Sequence, residues 1–315
     1  MELEGPQHKL GGKGEDKLVS EDARSELAER SAKDLAWVQT AGCGKPIVLV
    51  HGFGASLDHY KRNFPVLAAN YKVYALDLLG FGRSAKPVLP YTMEQWEELV
   101  VDFLGEFVEQ PAVIVGNSLG SLTSLMVSAS APDRIAGTVL LNCAGGMNNK
   151  AISDDFRIKL AMPIFLLIDY LLAQPRIARY LFDRFRTPEN IRQVLMNVYT
   201  GNPAAVDQEL VDMIYSASCD EGALEAFVSI MSGPPGPRPE ELIPKISTPM
   251  LVLWGTKDPF TPSDGPVGRY FQRLAEQRPG SVDFVHLPGV GHCPHDEAPD
   301  EVHGHLLPWL EKHHA

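Results

Sequence analysis

One stretch of this chain restricts its fold more than any other. In it, a run of β-favouring apolar residues leads directly into a serine that stands between two glycines. The stretch AVIVGNSLGSL, residues 112–122, is typical of a buried strand followed by a tight turn at Ser118 and then a helix. A G-x-S-x-G turn between a strand and a helix exposes the serine hydroxyl as a nucleophile. The same small residues also form ordinary turns, so the rest of the chain has to supply the partners of a nucleophile.

Short apolar runs of the kind expected for strands buried on both faces recur along the chain. They comprise residues 46–50, 72–77, 112–116, 137–142, 249–255 and 282–287. Helical patterns that separate several of these runs, or follow the last one, begin at Met93, Leu119, Pro266 and Glu301. This alternation predicts an α/β fold with a mostly parallel central sheet flanked by helices.

One long interval interrupts the alternation. Residues 143–245 show no clear strand pattern, and they contain helical segments at 154–174, 175–185, 188–200, 204–218 and 223–232. We therefore predict an inserted helical cap over residues 143–245, between core segments 35–142 and 246–315. Residues 1–34 are polar and predict an N-terminal arm with a short helix near residues 21–33.

Composition restricts the partners of the chain. A net charge of −12 argues against nucleic acid as the main partner, and against attachment to anionic lipid by charge alone. The four cysteines lie far apart without a C-x-x-C pair, which indicates isolated thiols rather than a disulfide framework or a zinc site. The longest apolar run, residues 160–172, is shorter than the roughly 20 residues of a membrane span. Neither a secretory signal nor a transit peptide is visible in the polar opening.

A serine nucleophile needs a base and a carboxylate that orients the base. His292, in the segment LPGVGHCPHDEAP after the last predicted strand, is the candidate base. Asp258, in a turn shortly after the strand that ends at Gly255, is the candidate acid. The weaker alternatives are His286, His295, Asp264 and Asp283. The chain order of serine, aspartate and histidine is that of one fold among the known triads.

Two backbone N–H groups are needed to stabilise the oxyanion of an acyl-transfer reaction. The N–H of Leu119, directly after the nucleophile, is the first candidate. The second is the N–H of Phe53 in the segment HGFG, which follows the first predicted strand. We expect His51, which precedes this loop, to brace it rather than to act in catalysis.

The chain resembles the α/β-hydrolase superfamily from about Trp37 to its end, through the motifs HGFG, LDLLGFGRS, VGNSLG and WGTKDP. Three narrower stretches, VGNSLG, GHCPHDEAP and VLMNVYTGN, resemble the pheophytinase and chlorophyll dephytylase group of plants and algae. The resemblance implies a chloroplast serine esterase that removes phytol from chlorophyll or pheophytin. It implies no metal and no organic cofactor.

A phytyl ester requires an apolar channel, and the apolar cap residues are candidates for its lining. We expect Phe53, Phe165, Tyr170 and Leu171 to bind substrate, while most apolar cap residues pack the cap helices together. Residues 160–172 are expected to form a buried cap helix or, as the less ordinary alternative, a segment that contacts the thylakoid surface.

Other functions share the same residues. A lipase-like or general carboxylesterase acting on acyl lipids would use the same triad, and so would a hydrolase of carbon–carbon bonds. A hydrolase-fold receptor for a small molecule is the alternative from another class, since receptors can keep an intact triad. Ser118 excludes dehalogenase and epoxide-hydrolase chemistry that depends on an aspartate nucleophile.

Overall fold

The computed structural model of the chain describes residues 7–9, 36–148 and 156–314. Within these residues eight strands form one sheet in the order β1-β2-β4-β3-β5-β6-β7-β8. The strands are β1 (Gln7–Lys9), β2 (Trp37–Ala41), β3 (Pro46–Val50), β4 (Lys72–Asp77), β5 (Ala112–Asn117), β6 (Ile135–Leu141), β7 (Met250–Gly255) and β8 (Val282–Leu287). The pairs β1–β2 and β2–β4 are antiparallel and all other pairs are parallel. The predicted fold class is confirmed.

Strand β2 does not appear among the strands predicted from apolar runs. Its residues are mostly half-buried rather than buried, because the strand lies toward the antiparallel edge of the sheet. Strand β1 pairs with it and belongs to the segment predicted as a polar arm. The helix predicted near residues 21–33 lies outside the described residues.

The core consists of two apolar layers, one on each face of the sheet. Along β3, Val48 and Val50 contribute to one layer, while Ile47 and Leu49 contribute to the other. Successive side chains of a strand point to opposite faces, so a strand covered on both faces needs an uninterrupted apolar run.

Twelve α-helices occur in the described residues. They are α1 (Phe64–Ala68), α2 (Met93–Phe107), α3 (Leu119–Ser130), α4 (Phe156–Leu172), α5 (Pro175–Phe185), α6 (Pro188–Val198), α7 (Gln208–Ser218), α8 (Ala223–Ser232), α9 (Pro239–Leu242), α10 (Pro266–Gln277), α11 (Pro294–Glu297) and α12 (Pro299–His313). Helices α2, α3 and α10 cover one face of the sheet, whereas α1 and α12 cover the other. None of the described helices combines the length and the apolar character needed to cross a membrane.

Helices α4–α8 follow β6 and precede the return of the chain to β7. Local signals set some of their boundaries: the Thr187 hydroxyl caps α6, and the Asp207 carboxylate caps α7. Helices α6 and α7 share one small apolar cluster, while α5 and α8 share another with the end of α4. Of the described side chains of α4 only Leu172 is buried. This helix therefore lies on the outside of the molecule rather than within it.

Candidate active site

Ser118 occupies a sharp turn between β5 and α3. Its φ is +53° and its ψ is −115°, a conformation that residues other than glycine rarely adopt. A Cβ atom on Gly116 would overlap the carbonyl oxygen of Gly120, and one on Gly120 would overlap that of Val50. Both glycines are therefore required for α3 to approach the sheet closely. Strained backbone of this kind is concentrated at functional sites.

Hydrogen bonds to β6 hold the turn in place. The N–H of Ser118 donates to the carbonyl of Leu141 at 2.9 Å. The hydroxyl of Ser121 donates to the carbonyl of Gly116 at 2.6 Å and accepts from the N–H of Leu141 at 3.1 Å. The serine at position 121 thus links the turn to the neighbouring strand, and Ser118 itself remains partly exposed.

The structure brings His292 and Asp258 together. Nδ1 of His292 lies 2.7 Å from Oδ2 of Asp258, which is buried in the turn after β7. The His292 loop is anchored to the cap, because the N–H of His292 donates to the carbonyl of Val198 at 3.1 Å. The two side chains come from loops that follow β7 and β8, which are neighbours in the sheet.

The weaker alternatives for base and acid lie elsewhere. His286 is exposed on β8, and His295 is buried beside Tyr60. Asp264 is exposed before α10, and Asp283 is half-buried on β8. Among the described residues, no group of three or more histidine, cysteine or acidic side chains is arranged to hold a metal ion.

Asp258 is held as an ionised carboxylate by several donors. Oδ2 accepts from Asn142 Nδ2 at 2.6 Å and from the Thr261 hydroxyl at 2.5 Å. Oδ1 accepts from the N–H groups of Phe260 and Thr261 at 2.8 and 3.1 Å. Burial by itself would raise the pKa of Asp258, but the interaction with His292 and these hydrogen bonds hold it below its usual value. Since an ionised carboxylate only accepts, Nδ1 of His292 carries the proton and Nε2 remains available as a base.

Two asparagines that the sequence did not single out for a role in the site organise it. Asn142, directly after β6, has a φ of +47°, and its Oδ1 accepts from the N–H of Gly255 at 3.0 Å. Together with the hydrogen bond that Asn142 donates to Asp258, this contact ties β6 to the turn after β7 that carries Asp258, which we call the acid turn. Asn117 Nδ2 donates to the carbonyl of His292 at 3.0 Å. Asn142 is the last residue of the run predicted as the strand 137–142, and its place at the end of a parallel strand is the signal that could have identified it.

The loop after β3 packs against the nucleophile. A Cβ atom on Gly52 would lie 3.2 Å from Cβ of Ser118. In the described part of the chain the N–H groups of Phe53 and Leu119 donate to no other residue, which leaves both available for an oxyanion. The loop is braced by His51, whose Nδ1 donates to the Gly52 carbonyl at 2.7 Å.

His51 itself is neutral and fully buried. Burial lowers the pKa of His51 to about 4, and its Nε2 accepts from the N–H of Leu78 at 2.9 Å. Both ring nitrogens of His51 are thus engaged with backbone groups, as expected for a residue that supports the loop.

Aromatic rings surround the candidate site. The Phe53 ring is 43% exposed and lies 5.6 Å from the ring of Phe81 and 6.2 Å from that of Phe227 on α8. The ring of Phe260 lies 5.3 Å from His292. Phe81, Phe227 and Phe260 were not singled out from the sequence, because only the fold brings them to Phe53 and His292.

The other three predicted substrate-binding residues all belong to α4. Tyr170 is 65% exposed, whereas Phe165 and Leu171 are half-buried. No ring contact within the described residues joins Tyr170 to Phe53. Their role as substrate contacts stays a prediction.

A cavity of about 630 Å³ lies apart from these residues, between α7 and the loops after β3 and β4. His59 and Met213 contribute to its lining, and none of the predicted catalytic side chains does. Its charged groups include Arg83 and Asp58, which pair at 2.6 Å. Charged side chains stand among apolar ones in this lining, and we do not assign the cavity to the substrate.

Comparison with known proteins agrees with this geometry. The alpha/beta hydrolase family matches residues 47–304. The chain is 28% identical over 307 residues to the 2-hydroxy-6-oxo-6-(2'-aminophenyl)hexa-2,4-dienoic acid hydrolase of Metapseudomonas resinovorans, covering 93% of this chain and 94% of that protein. It is 26% identical to the chloroplastic pheophytinase of Arabidopsis thaliana, with 87% of this chain covered.

The chain spans 63% of the length of that pheophytinase. Among solved structures, a serine hydrolase involved in carbazole degradation superposes with a TM-score of 0.68 at 25% identity, covering 88% of this chain and 94% of that one. The family match extends over most of the chain and includes all of the residues assembled around Ser118. The chain belongs to the alpha/beta hydrolase family and is a hydrolase of that family.

Proposed function

We propose that the protein is a serine carboxylic-ester hydrolase that removes phytol from chlorophyll or pheophytin in the chloroplast. The observation that carries the proposal is the 2.7 Å contact between His292 and the buried, ionised Asp258, in a site that also contains the strained Ser118. A base oriented by a carboxylate and a serine on a strand-to-helix turn are the parts that acyl transfer requires.

In the proposed reaction, Nε2 of His292 accepts the proton of the Ser118 hydroxyl as its oxygen attacks the ester carbonyl. The N–H groups of Phe53 and Leu119 stabilise the oxyanion. His292 then protonates the departing phytol, and a water molecule activated by His292 hydrolyses the acyl-enzyme. Asp258 keeps Nδ1 protonated and stabilises the imidazolium.

The surroundings of the site favour an apolar substrate. The rings of Phe53, Phe227 and Phe260 lie around the site, and burial of a hydrocarbon chain contributes roughly 25 cal/mol per Å². A neutral substrate needs no cationic partner. The similarity to a chloroplastic pheophytinase supports both the substrate and the compartment of this proposal.

Hydrolysis of a carbon–carbon bond is the second candidate. It is favoured by the similarity to a dienoic acid hydrolase over almost the whole of both chains. A dienoic acid carries a carboxylate, and binding it requires cationic or N–H partners. The rings of Phe53 and Phe260 instead offer apolar surface beside the site, so we rank the apolar ester first.

The proposal is tested by incubating wild type and Ser118→Ala with detergent-dispersed chlorophyll a, pheophytin a, p-nitrophenyl butyrate and the dienoic acid. We expect phytol release by wild type alone, because loss of the nucleophile of a serine triad costs about a millionfold in turnover. The ratio of the two pigment rates assigns the preferred pigment.

Other outcomes would contradict the proposed substrate. Cleavage of p-nitrophenyl butyrate through Ser118 without phytol release would leave a lipase-like or general esterase. Cleavage of the dienoic acid alone would establish the second candidate. Thermal stabilisation by pigment without any turnover would indicate a receptor.

A further inference from the structure

Helices α4 and α5 form an exposed apolar surface on the cap. We call residues 160–186 the cap hairpin. Its exposed apolar side chains are Leu160, Ile164, Leu166, Leu167, Ile168, Tyr170, Ile177, Tyr180, Leu181 and Phe185. Large apolar surfaces of this kind mark sites of interaction with a protein or a membrane.

The cap hairpin is also basic, although the whole chain carries a net charge of −12. Residues 160–186 contain four arginines and two aspartates, and no lysine or glutamate. Arg176, Arg179 and Arg184 are exposed on α5, and none of them forms an ion pair with another described residue. The charge of these three arginines therefore stands beside the apolar side chains without an ionic partner among the described residues.

We propose that the cap hairpin docks on the surface of an anionic lipid bilayer. A helix that combines arginines with tyrosine, phenylalanine and leucine is typical of segments that lie in the membrane interface. Each basic residue near an anionic bilayer contributes attraction that the rest of this acidic chain cannot supply. The partner is therefore identified by two properties: an apolar interior that accepts the exposed apolar side chains, and a negatively charged surface that attracts the arginines.

The hairpin is connected to the candidate active site by a run of rings. Phe182 on α5 is buried, and its ring lies 5.3 Å from that of Phe227, which lies 6.2 Å from that of Phe53. These rings form an apolar connection between the hairpin and the loop after β3, along which an apolar ester drawn from the bilayer would approach Ser118. This role in substrate delivery rests on the proposed function, whereas the docking itself does not.

A second copy of the chain is a less suitable occupant. In a two-fold symmetric dimer the same surface meets itself, so the unpaired arginines at positions 176, 179 and 184 would face one another. Like charges across an interface oppose association. An anionic bilayer has the complementary charge.

The test is flotation of Ser118→Ala protein with vesicles of phosphatidylcholine alone or mixed with phosphatidylglycerol. We expect binding to the mixed vesicles that weakens with salt. The double variant Arg176→Gln/Arg179→Gln should lose about 5-fold in partitioning per arginine, about 30-fold together. Arg269→Gln/Arg273→Gln, which removes the same charge from exposed positions on α10, is the matched control and should bind like the parent.

Equal binding of the hairpin double variant and the α10 control would overturn the proposal, and so would failure of the parent to bind mixed vesicles. A dimer that Tyr180→Ser disrupts in light scattering would assign the surface to a second copy. In protein that keeps Ser118, hydrolysis of p-nitrophenyl butyrate should be unchanged in every hairpin variant. For that Ser118 protein, vesicle binding without any esterase activity would refute only the proposed function, and activity without binding only the docking.

Discussion

The acid turn and the cap hairpin differ in whether their polar and apolar side chains are enclosed by the protein or exposed. Asp258 is buried, and hydrogen bonds reach both of its carboxylate oxygens. The cap hairpin leaves Leu166, Leu167, Tyr170 and Tyr180 exposed, and three of its four arginines form no ion pair with a described residue. The carboxylate of the acid turn has its partners within the protein, which fixes the geometry that a reaction needs. The exposed side chains of the cap hairpin are instead available for contact with a partner.

The largest effect in this comparison is expected at the acid. Asp258→Asn should lower kcat for p-nitrophenyl butyrate by about 10⁴-fold, because an amide no longer fixes the histidine tautomer. Asp264→Asn, at an exposed acid close in sequence, should leave kcat unchanged. Equal rates for wild type and Asp258→Asn would remove Asp258 from the reaction.

The next largest effect is expected on the free energy of unfolding, through the packing of the turn at Ser118. Gly120→Ala should lower the free energy of unfolding by about 3 kcal/mol, because its Cβ would overlap the carbonyl oxygens of Val50 and His51. Gly105→Ala is the matched control, since a Cβ there meets nothing within 4 Å on helix α2. It should raise stability by about 0.5–1 kcal/mol. Urea unfolding measures both, and equal values would contradict the close packing.

Acid should destabilise the protein through its buried histidines. Burial lowers the pKa of His51 and of His59 to about 4 and holds that of His295 well below its usual value. Between pH 6.5 and about 4 the unfolded chain binds protons that these histidines do not, so stability falls as pH is lowered. Asp77 acts in the opposite direction, because burial raises its pKa to about 6.

Burial also raises the pKa of Asp58 and Glu297 and lowers that of His303, His313 and His314, so His295→Phe is used to isolate the effect of one buried histidine. Both ring nitrogens of His295 lack a partner among the described residues, and its ring lies 4.4 Å from that of Tyr60. Thermal melts from pH 7.5 to 4.5 should show a shallower loss of stability in the variant. An unchanged slope would mean that His295 does not contribute.

The smallest effect is expected on the cap hairpin. Tyr180→Ser should change the free energy of unfolding by no more than about 0.5 kcal/mol, because the side chain is exposed. Phe182→Ala, two residues away and buried, should cost about 3–5 kcal/mol. Similar losses in the two variants would show that Tyr180 is packed within the protein, and would weaken the distinction between the two regions.

Most of the elements could be predicted from the sequence, and the reason is local. The parallel strands are buried on both faces and therefore appear as continuous apolar runs, as residues 46–50 do. Strand β2 lacks that pattern and was missed. The cap helices were predicted by their periodicity, but periodicity did not reveal that α4 lies on the outside.

The sequence by itself determined the order of Ser118, Asp258 and His292 and the strand-to-helix turn that carries the serine. Those features depend on residue type and on neighbours a few positions away. Only the tertiary structure decided that Asn142 donates to Asp258 and that Phe227 meets Phe53. The partners in these contacts are more than a hundred residues apart, and they meet because the sheet order places β6 beside β7 and because the cap helix α8 packs against the loop after β3.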